Sequence, residues 1–367
     1  MAGAVRRWLR RLGLGLGGLV VGLVLAELLA RLWTPNAGTQ LYFNTPDTLP
    51  DNLYRSHPTL AIEPTPGFDQ YVSSVDYLSR VRINGLGLRN PELDPADKRP
   101  RWLAVGDSFT MALQVSEERT FAGVLSDKLG INVLNAGVDG YSTWQEERRY
   151  ELLDQAAGTS AVLVTFFVGN DLSDNITFTG RSSHGPMAQS FGVKNPVWTG
   201  QLWRWIRTRS AVAAYFDITA KTAAIQQGID PDGKRLAQEM AIFTKSGAAD
   251  LQRRADATRQ ALAAFRDATA QRGDKLYVAV APPYFAVDPR ETDRTLRAFG
   301  LKDPDLDAPV RLVMGLLSEL GIASCDLSAD LRKVADDGGN AYFRYDGHWS
   351  AEGHAAAAGA MARCFGG

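Results

Sequence analysis

A serine at residue 108 follows a short apolar stretch, Arg101–Val105, and a tight Gly106-Asp107 turn. A serine hydroxyl is a weak nucleophile until a base lies within hydrogen-bond reach. His348 is the candidate base, because imidazole takes and returns a proton near neutral pH. Asp346, two residues earlier, can orient that ring and stabilise its cation. A tetrahedral oxyanion also needs donors already in place. The Ser108 and Gly140 backbone N–H groups and the Asn170 side-chain amide are the candidates, from "GDSFT", "NAGVDGYST" and "GNDLSDN". Gly140 has no side chain to block approach. Each residue also has an ordinary structural reading: a serine after a strand as a helix cap, Gly-Asn-Asp as a turn, Asp-Gly-His as a loop. Their placement after successive strands is what favours chemistry.

The elements that must position these residues follow from periodicity. "RWLAV", "INVLN", "AVLVTFFVG", "KLYVAVA" and "GIASC" are apolar runs of strand length. Between them lie helical patterns at 116–130, 142–156, 249–273 and 308–320, and a closing one at 350–365. Ser116 and Gly130 are expected to cap the first helix, and Ser142 with Gln145 has the capping-box spacing. Strand–helix alternation predicts an α/β three-layer sandwich, a central parallel sheet covered on both sides. Ligands of such sheets sit beyond the carboxyl ends of the strands, where the loops above would converge.

The chain has 367 residues, 45% hydrophobic and 22% charged, with 40 basic and 41 acidic residues. That suits a globular protein and gives no basic surplus for a nucleic-acid partner. The N-terminus differs. Arg6, Arg7, Arg10 and Arg11 precede the apolar run at 12–30, and Arg31 and Trp33 follow it. At about 1.5 Å per residue the run crosses roughly one hydrocarbon core. The arginines are expected to stay cytoplasmic, which places the rest of the chain outside. "LLARLWTPN" makes a poor signal-peptide cleavage site, so an uncleaved anchor is expected. Glu27 reads as a snorkelling carboxylate near the outer end.

The expected organisation is therefore a membrane anchor at 1–33, a loop-rich linker at 34–97 packing on the main domain, and a main domain at 98–367. An insertion at about 176–250 carries Trp198, Trp203 and Trp205 with Arg204, Arg207 and Arg209. It reads as a lid, a glycan-contacting surface or a small satellite core. Cys325 and Cys364 could pair in an oxidising compartment, and the sequence leaves that bond open. Asp346, His348 and His354 share no helical face, so neither a metal nor a cofactor is expected. His354 is expected on the surface of the closing helix.

The blocks "GDSFT", "NAGVDG", "GND" and "DGHW" resemble, in order, those of the SGNH or GDSL hydrolase family. The resemblance covers residues 101–367 and implies a flavodoxin-like α/β fold of esterases, lipases, deacetylases and some acyltransferases. It implies Ser108 as nucleophile, Gly140 and Asn170 as oxyanion donors and His348 as base. One position departs: the family's Asp usually stands three residues before the His, where this chain has Tyr345. The Asp-x-His-Trp arrangement is instead similar to the alginate O-acetylation proteins. "NGLGLRNPELD" resembles the entry segment of membrane-anchored bacterial members. Together these imply a single-pass inner-membrane protein with a periplasmic serine esterase or O-acyltransferase domain. The expected partner is an acylated glycan or another ester. A non-catalytic glycan-binding module and a lipase or phospholipase remain as alternatives.

Overall fold

The computed structural model describes residues 2–33, 52–73, 76–178, 239–344 and 346–366, with a few positions between 206 and 220. The expected tryptophans and arginines of the insertion lie outside the described residues. The first element, α1 (Ala2–Trp33), is one continuous helix. Among the described residues it is the only helix long and apolar enough to cross a membrane, with a mean hydropathy of 2.2. Glu27 is not simply solvated. It accepts hydrogen bonds from Arg31 Nε at 2.8 Å, Ser210 Oγ at 2.9 Å and the Ala211 N–H at 2.9 Å.

The segment expected to be loop-rich contains two antiparallel hairpins. Strand β1 (Tyr54–His57) pairs with β2 (Ala61–Pro64), and β3 (Asp69–Ser73) with β4 (Leu78–Arg82). The strands are four or five residues long, too short for a clear period. Their buried residues Val72, Tyr77 and Val81 form a small core with Met111 and Leu113, just after the nucleophile candidate.

The main sheet is parallel and five-stranded. Strands β5 (Arg101–Gly106), β6 (Asn132–Asn135), β7 (Ala161–Phe167), β8 (Lys275–Ala281) and β9 (Ala323–Asp326) lie in the order β6-β5-β7-β8-β9. Alternation along the strands makes two faces. Leu103, Val105, Val162, Val164, Val278 and Val280 point to one, against Tyr150 of α4 (Thr143–Ala157), Phe265 of α6 (Ala248–Arg272) and Val313 of α9 (Ala308–Glu319). The other face carries Ala104, Leu163, Ala279 and Ala281. It packs on α3 (Phe121–Leu129), α10 (Ser328–Asp336) and α11 (Ala351–Phe365). Short helices α2 (Ser108–Met111) and α5 (Asp171–Thr177) start at the carboxyl ends of β5 and β7. Helices α7 (Tyr284–Val287) and α8 (Pro289–Ala298) follow β8. The three-layer α/β sandwich expected from the sequence is the fold observed.

Local expectations hold with two corrections. Gln145 Oε1 accepts the Ser142 N–H at 3.1 Å, half of a capping box; the Gln145 N–H goes to the Ser142 carbonyl, not to its hydroxyl. Ser116, however, precedes only a 3₁₀ turn; α3 is capped by Thr120, whose side chain accepts the Gly123 N–H at 3.1 Å. His354 is buried, not surface-exposed, at 1% exposure. Its Nδ1 accepts the Phe121 N–H at 3.2 Å, an orphan donor at the start of α3. Burial pushes the His354 pKa down to about 3, so the ring stays neutral and can accept.

Cys325 and Cys364 form a disulfide across a sequence separation of 39, joining β9 to α11. A loop of this length implies about 3–4 kcal/mol of stabilisation in the chain-entropy account. Replacing both cysteines by serine is expected to lower the denaturant midpoint correspondingly in chemical unfolding, with unchanged secondary structure.

Candidate functional site

The nucleophile candidate is placed by a turn that closes on itself. Asp107 caps α2, its Oδ1 accepting the Phe109 N–H at 2.9 Å. Ser108 thus occupies the first helical position, where its own N–H has no intrahelical acceptor. Behind it, the buried Arg89 guanidinium donates to the carbonyls of Met111 (2.6 Å), Ala112 and Val115, ending the short helix. The loop after β6 packs directly onto this turn. A side chain at Gly137 would place Cβ 2.3 Å from the Met111 nitrogen, so only glycine permits that approach. Three residues on, Gly140 has φ +71°, a left-handed conformation that favours glycine.

His348 arrives from the far end of the chain. The segment before α11 is cinched by an antiparallel bridge between Tyr342 and Trp349, and by the Phe343 N–H donating to the His348 carbonyl at 2.8 Å. Trp349 is fully buried against Phe109 and Phe121, with ring centroids 5.1 and 6.2 Å apart. Phe109, next to Ser108, also lies 4.9 Å from the His348 ring. The same aromatic packing that docks the C-terminal segment therefore presents the imidazole to the serine.

The resulting geometry is a continuous relay. His348 Nε2 lies 2.7 Å from Ser108 Oγ, and His348 Nδ1 lies 2.6 Å from Asp346 Oδ1. The His348 side chain is 17% exposed and that of Asp346 3%, so the relay opens outward at the serine end. Burial alone lowers the His348 pKa, but the carboxylates of Asp346, Asp139 and Asp107 outweigh it, and the net direction is upward. Asp139 is itself lifted to about 6 by burial.

The oxyanion candidates are placed less simply. Asn170 caps α5, and its Nδ2 donates to Asp174 Oδ2 at 2.9 Å, while its Oδ1 is buried without a partner among the described residues. Ser108, Asp346 and His348 are joined by direct contacts; Gly140 and Asn170 stand on the neighbouring loops.

Other residues support the site without any sequence signal that distinguished them. Asp76, between the upstream hairpin strands, accepts the Asp346 N–H at 2.9 Å. Arg149 of α4 donates to the Ala136 carbonyl at 2.7 Å and the Gly87 carbonyl at 2.6 Å, tying the β6 loop to the upstream segment. A lone Asp in a polar segment and an Arg in a charged helix look ordinary in sequence.

Part of this α/β domain is similar to a known family. Residues 242–365 match the family model described as "SGNH hydrolase-like domain, acetyltransferase AlgX". That range contains β8, β9, Asp346 and His348. No curated protein sequence matches. Among solved structures, a catalytic mutant of Axe2, an acetylxylan esterase from Geobacillus stearothermophilus, is similar at 14% identity. The match covers 74% of this chain and 95% of that one, with a TM-score of 0.39. LAE5, an alpha/beta hydrolase enzyme from the metagenome of Lake Arreo, is 12% identical over 72% of this chain and 94% of its own, with a TM-score of 0.39.

Proposed function

We propose that this chain is a membrane-anchored, extracytoplasmic serine esterase or O-acyltransferase. Its substrate is a short acyl ester, acetyl above all, on a cell-envelope or exported glycan. The observation that carries this reading is the unbroken Ser108–His348–Asp346 relay. Ser108 Oγ attacks the ester carbonyl as His348 Nε2 takes its proton. The carbonyl oxygen becomes an oxyanion held by the N–H groups of Ser108 and Gly140 and the Asn170 amide. Collapse expels the alcohol, which receives the proton from His348 and leaves the acyl group on Ser108. Water, activated by the same imidazole, releases the acid; a sugar hydroxyl in its place gives transfer.

The domain organisation proposed with it is an anchor at 1–33, a linker at 34–97 and a catalytic domain at 98–367 with an insertion near 176–250. The arginines before the apolar helix support the inner membrane with the domain outside, and the Cys325–Cys364 bond fits an oxidising compartment. The acetyl group rests on the acetyltransferase family model, and the glycan on the proposed location outside the cytoplasm.

Full-length protein in detergent, given a p-nitrophenyl ester series, is expected to favour acetyl over long chains. A preference for long chains would instead make it a lipase. Binding of glycan without turnover of any ester would make it a non-catalytic module. Asn170→Ala is expected to lower kcat by about 100-fold, with a smaller change in KM. An unchanged kcat would remove Asn170 from the oxyanion site.

A further inference from the structure

The membrane-length helix α1 carries one carboxylate, Glu27, near the end of its apolar span Val5–Leu32. At about 1.5 Å per residue, Glu27 lies roughly 7–8 Å inside that end. Its Oε1 accepts Arg31 Nε at 2.8 Å and the Ala211 N–H at 2.9 Å. Its Oε2 accepts Ser210 Oγ at 2.9 Å and the Val212 N–H at 3.3 Å. Residues 211–213, 215 and 216 are helical, so those N–H groups are the orphan donors of a helix start. The next one, on Ala213, goes to Ser210 Oγ at 3.2 Å. Ala211 is 184 positions from Glu27. The anchor helix thus caps a helix of the insertion.

The same contact lines up apolar surface. Val212 and Phe216, one turn apart, are exposed, Phe216 at 69%. Leu23, one turn before Glu27, is exposed as well. A groove of about 410 Å³ between the two helices is lined by Leu23, Glu27, Ser210, Val212, Ala213 and Phe216. Within hydrocarbon, backbone N–H groups need protein partners and a charge needs a counter-charge. Both conditions are met here: the leading N–H groups are capped, and Glu27 is paired with Arg31 at 2.7 Å. A segment with a satisfied polar start and an apolar face suits the boundary between headgroups and acyl chains. The contact also falls at the end of α1 from which the rest of the chain continues, so the segment and the α/β domain share one side.

We propose that the 210–216 segment lies in the lipid leaflet nearest the α/β domain, docked on α1 through Glu27, with Val212 and Phe216 among lipid acyl chains. This rests on the anchored reading given above. The occupant of the groove is lipid because its surface is continuous with that of α1, whose apolar span is buried by no other part of the protein. The helix then does more than tether the domain: it holds part of the insertion at the membrane.

The test uses the full-length chain in phosphatidylcholine nanodiscs, with Phe216→Cys carrying a nitrobenzoxadiazole label; Cys325 and Cys364 stay in their disulfide. The label is expected to emit blue-shifted light, quenched more by lipids with a nitroxide near the headgroup than by lipids with one at the chain end. Glu27→Leu keeps α1 apolar but removes the acceptor. It is expected to abolish the quenching and shift emission to that of the label in water. Leu23→Cys and Ala213→Cys, which face the same groove, are expected to cross-link when Glu27 is present and not with Glu27→Leu. Water-like emission with Glu27 present would overturn the proposal. So would a blue shift without lipid quenching, which would mean that protein covers Phe216. Quenching or cross-linking that survives Glu27→Leu would overturn the docking. If Glu27→Leu does not assemble, the quenching and the cross-link with Glu27 present decide. A full chain that does not enter nanodiscs would overturn the anchored reading too, which loss of quenching or cross-linking alone leaves intact.

Discussion

Replacing Ser108 by alanine is expected to reduce kcat for ester turnover by about 10⁴-fold or more. In the proposed mechanism alanine removes the attacking atom, Ser108 Oγ, 2.7 Å from His348 Nε2. What remains is whatever the oxyanion donors and substrate binding contribute with water as nucleophile. The loss should fall on kcat. Stability should barely change, because α2 is held by the Asp107 cap and the Arg89 contacts, not by the serine hydroxyl. Steady-state turnover of p-nitrophenyl acetate measures the effect, and intact-protein mass measures the acyl adduct. Wild type quenched early should carry an acetyl mass on the peptide containing Ser108, and the variant none. Turnover by the alanine variant at the wild-type rate would show that a different group attacks.

The second large effect is expected at Asp346. Asp346→Asn should lower kcat by about 10³–10⁴-fold, the scale seen when the orienting carboxylate of a serine–histidine–aspartate array becomes an amide. Asp346 Oδ1 lies 2.6 Å from His348 Nδ1, so it fixes the tautomer in which Nε2 is free to take the serine proton. An amide presenting its NH₂ to Nδ1 would impose the opposite tautomer.

The pH dependence gives this prediction a sign. Burial lowers the His348 pKa, and Asp346, by charge and hydrogen bond, leads the groups that raise it above its ordinary value of 6.5. Catalysis needs the neutral ring, so wild-type kcat/KM should rise with pH through that raised pKa. In Asp346→Asn the acid limb should move to lower pH. Stability is linked in the same sense. A raised folded-state pKa contributes stability that is fully present below 6.5 and is lost as pH rises through the folded value. The variant should flatten that part of the profile. An acid limb that stays in place would mean that Asp139 and Asp107, the other carboxylates acting on the ring, set it.

What the sequence determined is the part governed by local periodicity and order. The five apolar runs became the five strands, and the loops after the strands carry the small, polar residues that acyl transfer needs. Gln145 accepts the Ser142 N–H, half of the expected capping box, because both residues lie within one turn. Even the convergence of Ser108 and His348 was legible, since a parallel sheet gathers its loops at one edge.

Tertiary structure decided whatever depends on a partner distant in sequence. His354 looked like a surface residue of a helix, but it is buried because the orphan N–H of Phe121 needs its acceptor. The upstream hairpins carry no clear period. Their strands are short, and what fixes them is contact with the turn beyond Ser108. Asp76 became a support of Asp346 across 270 positions, and the two cysteines paired across 39. Asp107, Glu146 and Asp171 are fully buried although each is a charged residue type near a helix start. Charge and burial there are properties of the assembled core, and no window of sequence contains them.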